Sequence, residues 1–195
     1  MVVFALVSHQ GPPWIVLGAI GLLLTAATMG RQLRRIPRPA ALLGLERLPR
    51  RAALFGALGA VIGIGAGILH RKGLGMSPWP AGVGPFAVVA CLIGATEELV
   101  YRGWLQGAAR PLGWPAAVVI ASVAHAAYKT SLFAWPFGSV AIDFVGIGLW
   151  TILGGTVVGL LREFSGSVVP SMVAHAGFDF VVYGALTHAP WWVWR

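Results

Sequence analysis

Charge is what this sequence has least of. Fourteen Lys or Arg and six Asp or Glu are its only formally charged residues, 10% of 195, while 57% of the chain is hydrophobic. A soluble domain carries about 25% charged residues, so too few remain here to coat a water-soluble globule of this size. The same hydrophobicity excludes a disordered chain. Cysteine is almost missing: Cys91 is the only one, which excludes an intrachain disulfide and a Cys-rich metal site. There is no H-E-x-x-H zinc motif, and Ser165, Ser167 and Ser171 lack a G-x-S-x-G setting. No Lys or Arg precedes the apolar stretch at Trp14, so the first residues make a poor signal peptide. Inverted repeats, coiled-coil heptads and low-complexity tracts are also lacking.

What is present is apolar sequence in span-sized runs. A bilayer crossing takes about 20 apolar residues, which predicts an all-α polytopic membrane protein, a bundle of about six transmembrane helices. Residues 1–195 would form one transmembrane domain, with its motif-bearing core at about 83–187. The expected spans are Trp14–Gly30, Ala52–Leu69, Phe86–Leu105, Ala116–Lys129, Gly138–Leu161 and Val168–Leu186. In the second span Gly59, Gly63 and Gly67 recur every four residues. Small residues on one face let a neighbouring helix come close.

The net charge of +8 is concentrated beside spans, the pattern of topology signals read against anionic lipid rather than of nucleic-acid binding. Seven arginines lie between Arg31 and Arg51, a segment broken by Pro37, Pro39 and Pro49, within which Ala41–Leu45 is expected on the membrane surface. With that segment inside, Arg102, Arg110 and Arg162 join it, leaving Arg71, Lys72, Lys129 and Arg195 outside. This bias puts both termini outward. All tryptophans but Trp150 fall near expected span ends, as an interfacial belt requires.

Against this background the polar residues inside spans stand out: Glu97, Glu98, Arg102, His125, Asp143, His175 and Asp179. Each ionisable group in a span costs about 2.5–3.5 kcal/mol on insertion scales, so a functional site or an internal pair is the default reading. Glu98 and Arg102 are four apart and share a helix face, with the acid N-terminal, the favourable order for an ion pair. Glu97 lies about 100° round the helix on the face of Tyr101. It has no local countercharge and must find partners on another helix or in water. His175 and Asp179 are likewise four apart, and His125 stands alone on its span. Counted from the inner span ends, Glu97, His125, His175 and Asp179 share a layer at depths of roughly 10–17 Å. Asp143 lies outside that layer and is expected to serve structure, pairing with Lys129 or with loop donors.

The run T-E-E-L-V-Y-R-G-W-L, then His125, then H-A-G-F-D, resembles the CPBP family of intramembrane proteases, the CAAX prenyl endopeptidases and their abortive-infection or bacteriocin-processing relatives. Glu97, Glu98 and Arg102 match its E-E-x-x-x-R motif, His125 its second motif, and His175 with Asp179 its H-x-x-x-[N/D] motif. The resemblance covers about Cys91–Phe180. Two positions depart from it. Ala121 stands where the second motif has Phe, so an aromatic wall is missing or comes from elsewhere. Asp179 stands where the prenyl proteases of eukaryotic type have Asn, and an ionised Asp cannot donate to an oxyanion.

The resemblance implies an endopeptidase acting on a peptide or prenylated protein at the membrane. Glu97 would activate a water, His125 would hold it and His175 would donate to the tetrahedral oxygen. No cofactor is required on this reading, although two histidines and two carboxylates also suit a divalent metal. Partners would be membrane lipid and the substrate, not nucleic acid. Two other readings are an ion- or proton-coupled carrier and a catalytically silent immunity or scaffold member of the family. The glycine-, alanine- and arginine-rich composition points to a prokaryotic cell membrane, with the site toward the cytoplasm. A pheromone, bacteriocin or membrane protein would then be the natural substrate.

Overall fold

The computed structural model describes residue 24 and residues 26–46, 50–133 and 143–186. These residues form helices and connecting turns, with no strand among them. A helical stretch over 26–34 precedes α1 (Pro39–Leu43), α2 (Arg50–Gly73) and α3 (Pro85–Glu98). α3 continues directly into a π-helix, Leu99–Leu105, then α4 (Gln106–Ala109) and a 3-10 turn, Arg110–Leu112. α5 (Trp114–Phe133), α6 (Phe144–Ser165) and α7 (Val169–Tyr183) follow. Most of the expected Trp14–Gly30 span lies outside the described residues, as do Trp135 and the tryptophans of the C-terminal tail.

Local chemistry sets the helix ends. Pro85 opens α3 and Pro170 opens α7, each in the first turn, where a missing N–H leaves no bond unmade. Asp143 caps α6, accepting from the Gly146 amide at 2.8 Å. Asp143 therefore meets an amide in the first turn of its own helix, not the expected loop donor or Lys129, and Lys129 pairs with Glu97 instead. α6 runs from Phe144 to Ser165, so Arg162 and Glu163 sit inside its last turn, and residues 138–142 of the expected fifth span lie outside the described residues.

Large apolar side chains lie on the outside and several charged ones inside. α2 and α6 are long and apolar enough to cross a membrane, with mean hydropathy 2.2 and 2.0 over their best stretches. Only 22% and 17% of those stretches are buried, whereas the core helix of a soluble protein would be mostly covered. Leu54, Val61 and Leu69 on α2, Leu92 on α3 and Leu149 and Trp150 on α6 all face outward. The largest fully buried side chains include Arg102, Gln106 and Glu98. Two helices this long, apolar and outward-facing have the length and composition of membrane spans.

α7 is the hub, packed against α2, α3 and α6, while α5 lies along α6. The glycine stripe expected to be a packing face is one. Gly59 lies over the Pro170 carbonyl, Gly63 over Ala174, and Gly67 over Phe178 and Val181. A Cβ at Gly63 would overlap the Ala174 carbonyl oxygen, so the α2–α7 seam exists only because the stripe lacks side chains.

Two expectations change. α1 does not lie free on a surface: Leu43 is buried, α1 packs on the π-helix and α4, and Val168 donates to the Gly44 carbonyl at 3.1 Å. Several basic residues taken as span-flanking charges are internal. Arg71 donates to the carbonyls of Ser77, Val181 and Val182, and Arg102 and Arg162 are buried. Of the described basic residues, Arg31, Arg34, Arg35, Arg38, Arg50, Arg51 and Arg110 remain exposed on the expected inner side, against Lys72 on the other. Removing the internal arginines and Lys129 from the count sharpens the charge bias.

Candidate active site

Three helices each bring one pair of polar residues four apart. The α3–π segment supplies Glu98 and Arg102, preceded by Glu97; α5 supplies His125 and Lys129; α7 supplies His175 and Asp179. All six predicted site residues meet in one cluster, and Lys129 joins them. Arg102, Glu98 and Glu97 are almost fully buried, while the side chains of His175 and Lys129 keep 16% and 27% of their surface exposed.

Its hydrogen bonds fix orientation. Arg102 Nη1 donates to Glu98 Oε1 at 3.1 Å and to His125 Nδ1 at 2.7 Å. A guanidinium only donates, so His125 Nδ1 must be the unprotonated nitrogen. Nε2 then carries the proton and donates to Glu97 Oε2 at 3.3 Å. Arg102 thereby sets the tautomer that His125 presents to Glu97. Glu98 Oε1 also accepts from His175 Nδ1 at 2.7 Å. This turns His175 Nε2 toward Glu97 Oε2 and Asp179 Oδ2, 3.8 Å from each. That spacing is too long for a direct bond and is the kind that a bridging water spans.

Glu97 has no countercharge on its own helix and finds one on α5, Lys129 Nζ, 2.8 Å from its Oε1. The sequence reading placed Lys129 as an outer topology charge and missed it. The signal was present: Lys129 stands one turn after His125, the spacing of the two pairs that were recognised. Tyr101 was also passed over as a contact. Its ring stacks on His125 at 4.4 Å and 17°, supplying from α3's continuation the aromatic wall that Ala121 does not.

Backbone shape makes room for the cluster. A Cβ at Gly94, one turn before Glu97 and Glu98, would lie 2.5 Å from Asp179 Oδ2 and 2.9 Å from the His175 ring. The π-helix falls at the Arg102 end of the site, a common place for such a widened turn. Its Arg102 carbonyl accepts from Arg162 Nε on α6 at 2.9 Å.

The three serines weighed as alternatives are tied to backbone. Ser165 Oγ bonds the Ser167 carbonyl, Ser167 Oγ bonds Gly44, and Ser171 Oγ bonds Val158. Cys91 Sγ donates to the Ala176 carbonyl. Among the described residues no group of three or more His, Cys, Asp or Glu is arranged to hold a metal ion.

A family model described as type II CAAX prenyl endopeptidase, Rce1-like, matches residues 78–181. The matched stretch begins before α3 and ends within α7, and it contains every residue of the cluster. No curated protein and no solved structure matches the chain.

Proposed function

The chain belongs to the Rce1-like type II CAAX prenyl endopeptidase family, and from that premise we propose that it is a polytopic intramembrane endopeptidase in which Glu97 is the general base. The observation that carries this reading is the placement of Glu97 Oε2. It is buried, it accepts from His125, and it faces His175 Nε2 across a gap of water-bridging length. Side chains from three helices converge on one carboxylate oxygen.

In the proposed reaction a water beside Glu97 Oε2 attacks the scissile carbonyl carbon as its proton passes to Glu97. The resulting tetrahedral oxygen takes a hydrogen bond from His175 Nε2–H, present when that ring is doubly protonated. Glu97 then returns the proton to the leaving amine and the C–N bond breaks. His125 orients Glu97, Arg102 and Glu98 lock the two imidazoles, and Asp179 faces His175 Nε2. No metal takes part. The substrate is a peptide or prenylated protein segment at the membrane, of CAAX, pheromone or bacteriocin type, reached from the cytoplasmic side of a prokaryotic membrane.

Purified protein in detergent, given farnesylated and unprenylated peptides, tests the proposal. Glu97→Gln should lower kcat about 10²- to 10⁴-fold, the range for a general base, and 1,10-phenanthroline should change nothing. Cleavage that survives Glu97→Gln would sink the proposed base. Loss to the chelator with recovery on adding zinc would replace it with metal chemistry. Peptide-driven proton uptake into liposomes, without hydrolysis, would favour a carrier instead.

A further inference from the structure

Attack by the Glu97-activated water puts negative charge on the scissile carbonyl oxygen, which then needs N–H donors. Few are free around Glu97 Oε2. The His125 Nε2–H is directed at Glu97 itself. Both Nη1 hydrogens of Arg102 are engaged, and Nη2 is turned away to α6, where a Cβ on Gly155 would sit 2.5 Å from it. Glu98 and ionised Asp179 only accept. His175 already donates Nδ1–H to Glu98, so it offers Nε2–H only in its doubly protonated form.

Lys129 is different. An ammonium carries three N–H groups, and within the cluster Lys129 Nζ meets Glu97 Oε1 at 2.8 Å. It is the most exposed member of the cluster and flanks the carboxylate that would hold the water. It is one of only two lysines in the chain, and Asp179 lies within electrostatic range of it. Lys129 and ionised Asp179 contribute opposite charges, so as a pair they leave the net charge of the cluster unchanged.

We propose that Lys129 is a further catalytic residue, its ammonium donating to the scissile carbonyl oxygen as that oxygen becomes the oxyanion. The inference rests on Glu97 as base and adds the donor that Asp179 cannot supply. As the water oxygen bonds to carbon, the carbonyl π pair moves onto oxygen and is held by a Lys129 N–H. When the C–N bond breaks, that pair returns and the nitrogen takes the proton from Glu97. Lys129 keeps all its protons throughout, and Asp179 offsets its charge.

Lys129→Met keeps the unbranched side chain out to Cε and removes the donor. Its kcat should fall about 100- to 1,000-fold, the loss seen for one oxyanion donor, with KM within about threefold. Lys129→Arg should recover at least about tenfold of that loss, because it restores charged N–H donors. Lys129→Met/Asp179→Asn should exceed Lys129→Met, since the amide donates and the unbalanced charge is gone. A readout without turnover is affinity for a farnesylated peptidyl phosphinate, whose tetrahedral P–O⁻ stands in for the oxyanion. It should weaken about 100-fold in Lys129→Met, while the matching ketomethylene peptide binds as before.

Equal weakening of both ligands would overturn the proposal and leave Lys129 structural. A kcat within threefold of the parent would overturn it, as would a rise, which would mark Lys129 as a clamp on resting Glu97. If Glu97→Gln stays active, the base assignment falls, and the phosphinate comparison still decides Lys129.

Discussion

Two buried polar clusters lie one turn apart along the same helical segment, and they differ in what they leave unfinished. The Glu97 cluster surrounds one carboxylate with imidazole and ammonium, holds His175 Nε2 at 3.8 Å from two acids, and leaves the side chains of His175 and Lys129 part-exposed. The second is built on Gln106, Arg162 and Glu163. Gln106 Nε2 donates to Glu163 Oε1 at 2.8 Å and to the Gly159 carbonyl, and Arg162 donates to Glu163, Arg102 O and Leu42 O. Most of its bonds end on backbone or on a directly opposed charge. Similar residue types thus serve two purposes. Where donors are matched to backbone carbonyls the cluster holds helices together, and where they are aimed at a gap they are available for chemistry.

The comparison breaks most visibly at Arg162. Arg162→Gln leaves Glu163 without its buried countercharge and frees two carbonyls, so stability should fall by about 3–5 kcal/mol. Unfolding in mixed SDS micelles measures it. The molecules that stay folded should keep kcat within about tenfold, and a larger kcat loss with unchanged stability would merge the two clusters into one functional unit.

Gly94→Ala tests the other side. Its methyl meets Asp179 and His175, and displacing catalytic groups by about 1 Å is worth about 100-fold in rate. Turnover of the farnesylated peptide is the measurement. Undiminished turnover would mean that the position of His175 does not matter to the reaction.

The α2–α7 seam lies outside both clusters. Gly63→Ala overpacks against Ala174, next to His175, and should destabilise by about 1–3 kcal/mol. A variant as stable as the parent in the same SDS titration would show that the seam yields. The smallest effect belongs to Arg110, which pairs with Glu163 but is half exposed. Arg110→Ala should change stability by no more than about 1 kcal/mol. A larger shift would extend the inner cluster to the surface.

Much of the site was legible in sequence because charge is so scarce. Glu98 with Arg102 and His175 with Asp179 appear as i, i+4 pairs, and depth counting put Glu97, His125, His175 and Asp179 in one layer. The chemistry assigned to them came from the resemblance rather than from spacing. Lys129 was missed because it lies at the end of an apolar run, where a lysine is ordinarily a flanking charge. Arg162 and Glu163 were missed for the same reason. Gly94 gave no signal, since a lone glycine on a helix acquires meaning only from the atoms that cross it. Nothing in Leu99–Leu105 announces a π-helix, because no proline marks it and its hydrogen bonds shift by only one residue.

That shift has a consequence for any helical wheel drawn on the segment. At 100° per residue, Gln106 would project about half a turn away from Glu97. A π-helix bonds i to i+5 and so absorbs about one residue, which brings Gln106 to within about 80° of Glu97. One surplus residue keeps the chemical cluster and the structural cluster in phase along a single rod, and a wheel drawn through it would assign them to opposite sides.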